Sequence, residues 1–183
     1  REALEFGRDE YVELMDYAEE IGISFFSTAF DIASADFLAE LNVPAYKIAS
    51  GDLRSIPLLR YVASIGKPMI ISTGGGTMED VRRAYHAIMP INQQLCIMQC
   101  TAGYPPEFSE LNLRVIETYR ERFPDVVIGF SSHDSGISMP LIAYMLGARM
   151  VEKHFTLNRA MKGSDHAFSL EPPGLRRLVR DLR

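Results

Sequence analysis

The sequence predicts an α/β fold on a parallel sheet, specifically a TIM (β/α)8 barrel that is incomplete. Three observations predict it. Short, nearly continuous apolar runs alternate with helical patterns along the chain, as in a parallel sheet covered by helices. Polar or ionisable residues stand at the carboxyl end of every one of those runs. Six strand-helix units follow a leading helix, whereas closing the ring takes eight and about 250 residues.

The elements follow in order. Tyr11, Leu14, Met15, Ala18 and Ile21 share one helical face, and Gly22 stops that helix. Ile23–Thr28 is a strand, followed by a helix over Ser34–Leu41. The stretch Ala45–Asp52 places Lys47 inside an apolar strand and follows it with Ser50, Gly51 and Asp52. A helix over Ile56–Ser64 leads to a strand over Pro68–Thr73 and a glycine turn, Gly74–Gly76. Thr77 with Asp80 forms a capping box for a helix over Met78–Met89. The strand Leu95–Thr101, a loop holding Tyr104, Pro105 and Pro106, and a helix over Leu113–Phe123 come next. Strand Val126–Ser131, helix Met139–Leu146, strand Met150–Phe155, a loop to about Leu170 and a helix from Pro172 complete the series.

A doubly wound sheet would collect its ligand site from a few strands beside one switch point, and a barrel from nearly all strand ends. Here Thr28, Lys47 with Ser50, Ser72 and Thr73, Gln99 and Thr101, Ser131 with His133, and Glu152 with His154 are spread over all six, which favours the barrel. The chain opens without methionine and with a helix that no strand precedes, so two strands and a helix are expected upstream in the parent protein.

Composition sets outer limits. With 183 residues, 47% hydrophobic and 23% charged, the chain can bury one core. A net charge of −5 gives no general attraction to nucleic acid or an anionic membrane, so Arg176, Arg177, Arg180 and Arg183 read as a solvated helix face. No apolar run approaches the roughly 20 residues of a membrane span, and the first residues lack the layout of a signal peptide, so a cytoplasmic location is expected. Cys96 and Cys100 read as reduced core thiols, since no Cys-x-x-Cys spacing is present.

Residues two apart on a strand share a face, so Ser131 with His133, and Glu152 with His154, point the same way. If that face is the barrel interior, both histidines reach one cavity from adjacent strands and form a metal site with open positions, suited to Lewis-acid catalysis. The competing reading is two hydrogen-bonded core histidines. His86 and His166 carry no chemistry in either case. Lys47 has three readings: a fixed cation for phosphate or carboxylate, with hydroxyls from Thr28, Ser50 and Ser131 and backbone N–H groups of Ser50 and Gly51 completing a cradle; a Schiff-base lysine; or a lysine paired with Asp52 or Glu152. The cradle is preferred. Gly74–Gly76 fits no phosphate-loop spacing and reads as a plain turn.

Several segments resemble the sialic acid synthase family: Phe-Phe-Ser-Thr at 25–28, Tyr-Lys-Ile-Ala-Ser-Gly-Asp at 46–52, Gln-Cys-Thr-Ala-Gly-Tyr-Pro at 99–105, Gly-Phe-Ser-Ser-His at 129–133, Glu-Lys-His-Phe at 152–155 and Lys-Gly-Ser-Asp-His at 162–166. The resemblance implies a TIM-barrel enzyme that condenses phosphoenolpyruvate with N-acetylmannosamine or a related amino sugar, using a divalent metal, Mn2+ or Mg2+. By motif position it implies metal ligation by His133 and His154. Thr28, Lys47, Ser50 and Ser131 are implied to hold phosphoenolpyruvate, and Asp52, Tyr104 and Asp165 to meet the sugar. In such enzymes C3 of phosphoenolpyruvate attacks the open-chain aldehyde, water adds at C2, and phosphate leaves by C–O cleavage.

Two positions depart from the family pattern. Ala102 stands where asparagine or serine commonly helps bind phosphoenolpyruvate, and Asp52 where many bacterial members have glutamate. The resemblance also implies parts that this chain does not contain. They are two first strands bearing a further lysine and an acidic residue, and a small antifreeze-like domain that covers the partner's site in a homodimer. The rival readings are a legionaminic or pseudaminic acid synthase, and a non-catalytic domain that binds sugar or phosphate.

Overall fold

A computed structural model describes residues 5–183. Helix α1 (Arg8–Glu20) leads into β1 (Ser27–Thr28), α2 (Ile32–Glu40), β2 (Tyr46–Ile48), a 3-10 turn (Ser50–Asp52) and α3 (Ile56–Ser64). Then come β3 (Met69–Ser72), α4 (Met78–Ile88), β4 (Leu95–Cys100) and α5 (Val115–Arg122). The series ends with β5 (Val127–Ser132), α6 (Ser138–Met145), β6 (Met150–Lys153) and α7 (Pro172–Leu182). Among the described residues, no helix is long and apolar enough to cross a membrane.

All six strands are parallel and lie side by side in chain order, so the sheet has no switch point. It is curled. A flat sheet would hold β2 and β6 about 19 Å apart, four spacings of about 4.8 Å. Yet Lys47 on β2 and Glu152 on β6 approach to 3.4 Å. The six strands form an open half-barrel with helices outside.

Strand alternation divides the core. Leu59, Val62, Val81 and Ile88 on the helices pack against the outward Ile71, Ile97 and Phe130 of the sheet, all fully buried. A smaller cluster, Ile70, Cys96 and Met98 with Met150, lines the concave inner face. At the amino-terminal end of the strands an apolar cavity of about 450 Å3, lined in part by Phe26, Ile70, Cys96 and Met150, opens beneath this cluster. Polar groups gather at the opposite end.

The expected capping box is present: Thr77 N–H donates to Asp80 Oδ2 at 3.0 Å, and Asp80 N–H to Thr77 Oγ1 at 3.2 Å. Helix α2 starts before the expected Ser34, because Asp31 caps it by accepting the Ser34 N–H at 2.6 Å. The first strand is shorter than Ile23–Thr28. Only Ser27 and Thr28 pair with β2, and Ile23 at the expected start is 62% exposed. Gln99 and Thr101 do not face the mouth. Their side chains turn to the helix side and donate to the carbonyls of Leu111 and Glu110, so the inward residues at this strand end are Met98 and Cys100.

Candidate active site

The register places Thr28 beside Lys47 on the inner face, and Ser131 beside Glu152. Lys47 is buried, with its ammonium 3.4 Å from Glu152 Oε2. Ser131 donates to Glu152 Oε1 at 2.7 Å. Ser50, on the 3-10 turn that ends β2, accepts the Gly74 N–H at 2.9 Å, which ties the β2 turn to the glycine turn after β3. A Cβ at Gly74 would lie 2.9 Å from Ser50 Oγ and 3.1 Å from Cys100 Sγ, so any larger residue would push those side chains aside. Ser72, two residues beyond the inward Ile70, is buried with its hydroxyl unpartnered. A buried hydroxyl left without a partner costs about 1 to 3 kcal/mol, so this one marks a place where a ligand or water is expected. Below it, burial pushes the Cys96 thiol up to about 12, with the Glu152 charge adding to the rise and Lys47 opposing it.

The histidines stand together across the β5 and β6 ends, ring centroids 5.2 Å apart. His133 Nδ1 lies 3.0 Å from the Thr101 carbonyl. A carbonyl only accepts, so Nδ1 carries the proton and Nε2 keeps a free lone pair. His154 Nδ1 faces Asp165 Oδ2 at 3.6 Å, a contact longer than a hydrogen bond. Burial lowers the His133 pKa, the largest of several effects, and keeps its imidazole neutral.

An imidazole with one nitrogen on a carbonyl and the other free, as at His133, beside a second ring that has a carboxylate near its Nδ1, as at His154, is the donor chemistry of metal-ligating histidine. Among the described residues no group of three or more His, Cys, Asp or Glu side chains could hold an ion. The pair therefore fits a divalent metal only as two ligands of a larger shell, as an open catalytic site requires.

Around the histidines the walls are aromatic. Tyr104 stacks on His133 at 4.1 Å between centroids, with 26° between planes, and Phe168 packs against His154 at 5.1 Å. Tyr104 is half exposed, and burial is the main cause that raises its hydroxyl pKa. Asp165 and Tyr104 thus flank the histidine pair from two separate loops. Asp52 sits on the 3-10 turn at the Lys47 side, where desolvation raises its carboxyl pKa.

The whole chain, residues 1–183, matches the model of the NeuB family. It belongs to that family. N-acetylneuraminate-9-phosphate synthase of Homo sapiens is 46% identical over 180 residues, covering 98% of this chain and 50% of that protein. N,N'-diacetyllegionaminic acid synthase of Legionella pneumophila is 36% identical, covering 99% of this chain and 52% of that protein. The crystal structure of spore coat polysaccharide biosynthesis protein SpsE of Bacillus subtilis superposes with a TM-score of 0.95 at 40% identity, over 98% of this chain and 51% of that one. The chain spans about half the length of the curated relatives it matches.

In this NeuB chain the expected groups divide into two clusters. Thr28, Lys47, Ser50 and Ser131 line one side of the mouth, with Asp52 on the turn beside them, while His133, His154, Tyr104 and Asp165 form the other. Sequence reading left Ser72 as an unassigned strand-end hydroxyl, treated Gly74 as mere turn, and passed over Phe168 entirely. The Ser72 signal lay in its inward parity with Ile70. Phe168, an apolar residue three beyond Asp165 in a polar loop, was the other available cue. His166 Nδ1 lies 2.7 Å from Thr156 Oγ1.

Proposed function

We propose that the parent protein condenses phosphoenolpyruvate with the open-chain form of an N-acetylated amino sugar, giving a sialic acid-type nonulosonic acid and phosphate. The observation that carries this reading is one strand-end mouth holding both a buried lysine among hydroxyls and a pair of adjacent histidines. The first suits a small anion and the second a metal beside a carbonyl. The human relative, named for a sialic acid phosphate synthase, supports it.

In this reading Lys47 and the hydroxyls of Thr28, Ser50, Ser72 and Ser131 hold the carboxylate and phosphate of phosphoenolpyruvate. His133 and His154 hold Mn2+ or Mg2+, which when bound supplies positive charge to the sugar carbonyl oxygen. Tyr104, Asp165 and Asp52 orient the sugar so that its C1 faces C3 of phosphoenolpyruvate, and the aromatic walls exclude bulk water there. The new bond joins those two carbons. The carbonyl oxygen takes up a proton, water adds at C2, and phosphate departs with its bridging oxygen.

The half-barrel is completed in this proposal by two further strands of the parent protein, and a C-terminal domain covers the mouth of the partner subunit in a homodimer, in the cytoplasm. The second reading is a synthase for legionaminic or pseudaminic acid, favoured by the Legionella relative. Incubating the full-length protein with phosphoenolpyruvate, Mn2+ and each amino sugar separately, then weighing the products by mass spectrometry, decides between them. Phosphate release with none of the sugars overturns the enzymatic reading.

A further inference from the structure

Directly behind the histidine pair, on the outward face of the same two strands, lies a buried ion pair that the reaction above does not use. Lys153 Nζ is 3.7 Å from Asp134 Oδ1, and the two side chains are only 3% and 1% exposed. The ammonium also donates to Ser132 Oγ at 3.0 Å and to the Asp134 carbonyl, while Ser132 donates to Asp134 Oδ1. Asp134 Oδ2 is buried without a partner. Each charge is the chain neighbour of a histidine: Asp134 follows His133, and Lys153 precedes His154. The ladder pairs Ser132 with Lys153, so the link crosses the strands where the two histidines leave them.

Stability does not explain such a pair. Desolvating two charges costs about as much as their attraction returns, and an incompletely satisfied pair does worse than apolar side chains of the same size. Its effect is geometric. Strand β5 ends at Ser132 and β6 at Lys153, so their mutual ladder stops short of the histidines. On the β6 side the His154 carbonyl accepts the Leu170 N–H at 2.8 Å, which holds that backbone but does not link it to β5. The lysine, on β6, bridges both ends by binding the Ser132 hydroxyl at the end of β5 and the Asp134 carbonyl just beyond it. Inward, Ser131 to Glu152 makes the matching link one residue earlier. The two strand ends are thus cross-linked on both faces just where they present the imidazoles.

We propose that Asp134 and Lys153 are positioning residues that set the separation of His133 and His154 for joint ligation of one divalent ion. The proposal rests on reading those histidines as metal ligands. Ser132 shares the task through its bond to both charges.

The test is Mn2+ binding to the full-length protein, followed by the electron paramagnetic resonance signal of free Mn2+. In Asp134→Asn with Lys153→Met, a neutral pair of similar size replaces the ion pair. The expected result is a Kd about tenfold or more above the parent's, the scale of lost outer support at metal sites. Phosphoenolpyruvate affinity without metal should stay within twofold of the parent, since that ligand sits on the Lys47 side. A general loosening of the fold would weaken both. Restoring only charge, as Lys153→Arg, should recover part of the Mn2+ affinity lost in Lys153→Met.

If the double variant does not fold, Ser132→Ala decides, with a Kd raised threefold or more expected. Parent-like Mn2+ affinity in whichever variant is measured overturns the positioning role. His133→Ala is the control. If it binds Mn2+ as tightly as the parent, the metal reading of the histidines falls and this inference with it.

Discussion

Lys47 on the second strand and Glu152 on the sixth meet at 3.4 Å across the concave face. An anion bound at Lys47 competes with that carboxylate for the ammonium. The two residues therefore predict opposite effects on phosphoenolpyruvate. Lys47→Ala in the full-length protein should weaken its binding by roughly 10 to 150-fold, since a hydrogen bond to a charged group contributes about 1.5 to 3 kcal/mol. Glu152→Gln should strengthen it, by up to about fivefold, because the pair it breaks, with its carboxylate partly exposed, is taken as worth about 0.2 to 1 kcal/mol. Isothermal titration with phosphoenolpyruvate checks both, and equal weakening in the two variants excludes the cradle. Trapping of a sugar adduct on Lys47 by borohydride would instead establish the Schiff-base reading.

The histidine pair predicts a separation of activity from stability. His133→Ala and His154→Ala should each remove most manganese-dependent turnover. The melting temperature of either metal-free variant should stay close to the parent's. A loosely held ion with open positions adds little folding free energy, unlike a closed structural zinc site. Turnover after metal stripping and manganese titration checks the first half, and calorimetry the second. Undiminished turnover with parent-like manganese dependence in both variants would assign the imidazoles to the core.

Cys96 offers a pH test of the interior. Burial holds its thiol at about 12, so the thiolate that reacts with iodoacetamide is scarce at pH 8. Alkylation of the folded full-length protein should leave Cys96 unmodified over hours at pH 8, whereas denatured protein should be modified at once. Peptide mapping by mass spectrometry distinguishes the two states. Fast labelling of Cys96 in the native protein would mean that the inner apolar cluster is open to solvent.

The fold was legible because its signals are local and repeated. Apolar runs with β-branched residues, Gly22, Gly66 and Gly147 after helices, and Thr77 with Asp80 each fix one element, and their alternation fixes a parallel sheet. Lys47, His133 and His154 were legible because parity on a strand decides which neighbours share a face. Gln99 and Thr101 misled for the same reason. Counting polar groups at a strand end does not say which face each one takes, and both spend their donors on carbonyls before α5. Ser72, Gly74, Phe168 and the Asp134 to Lys153 link depend on contacts between elements far apart in the chain. Whether a hydroxyl is unpartnered, or a glycine is pressed by a cysteine from the next strand, is not written in any local pattern.

The last prediction concerns the loop after β3, which carries Gly74 into the site. Asp80 anchors it. Its carboxylate accepts from Arg54 at 2.9 Å and from Thr77 N–H and Oγ1, and pairs with Arg83, and these contacts together hold its pKa well below the usual carboxylate range. Arg54 also donates to the Gly75 carbonyl at 3.1 Å, so the same guanidinium clasps the glycine turn. A group whose pKa is depressed on folding contributes stability that is fully present above its unfolded value, near 3.8, and is lost as the pH falls through the lower folded value. Full-length protein should therefore lose stability to urea between about pH 4 and pH 2 more steeply than Asp80→Asn, which is weaker at pH 7 but lacks this titration. Thr77→Ala, which removes the cap hydroxyl and leaves the carboxylate, should cost about 1 kcal/mol at both ends of the range. If Asp80→Asn follows the parent's pH profile with unchanged slope, the carboxylate is not held in the charged form by these partners, and the acid sensitivity of the loop has another source.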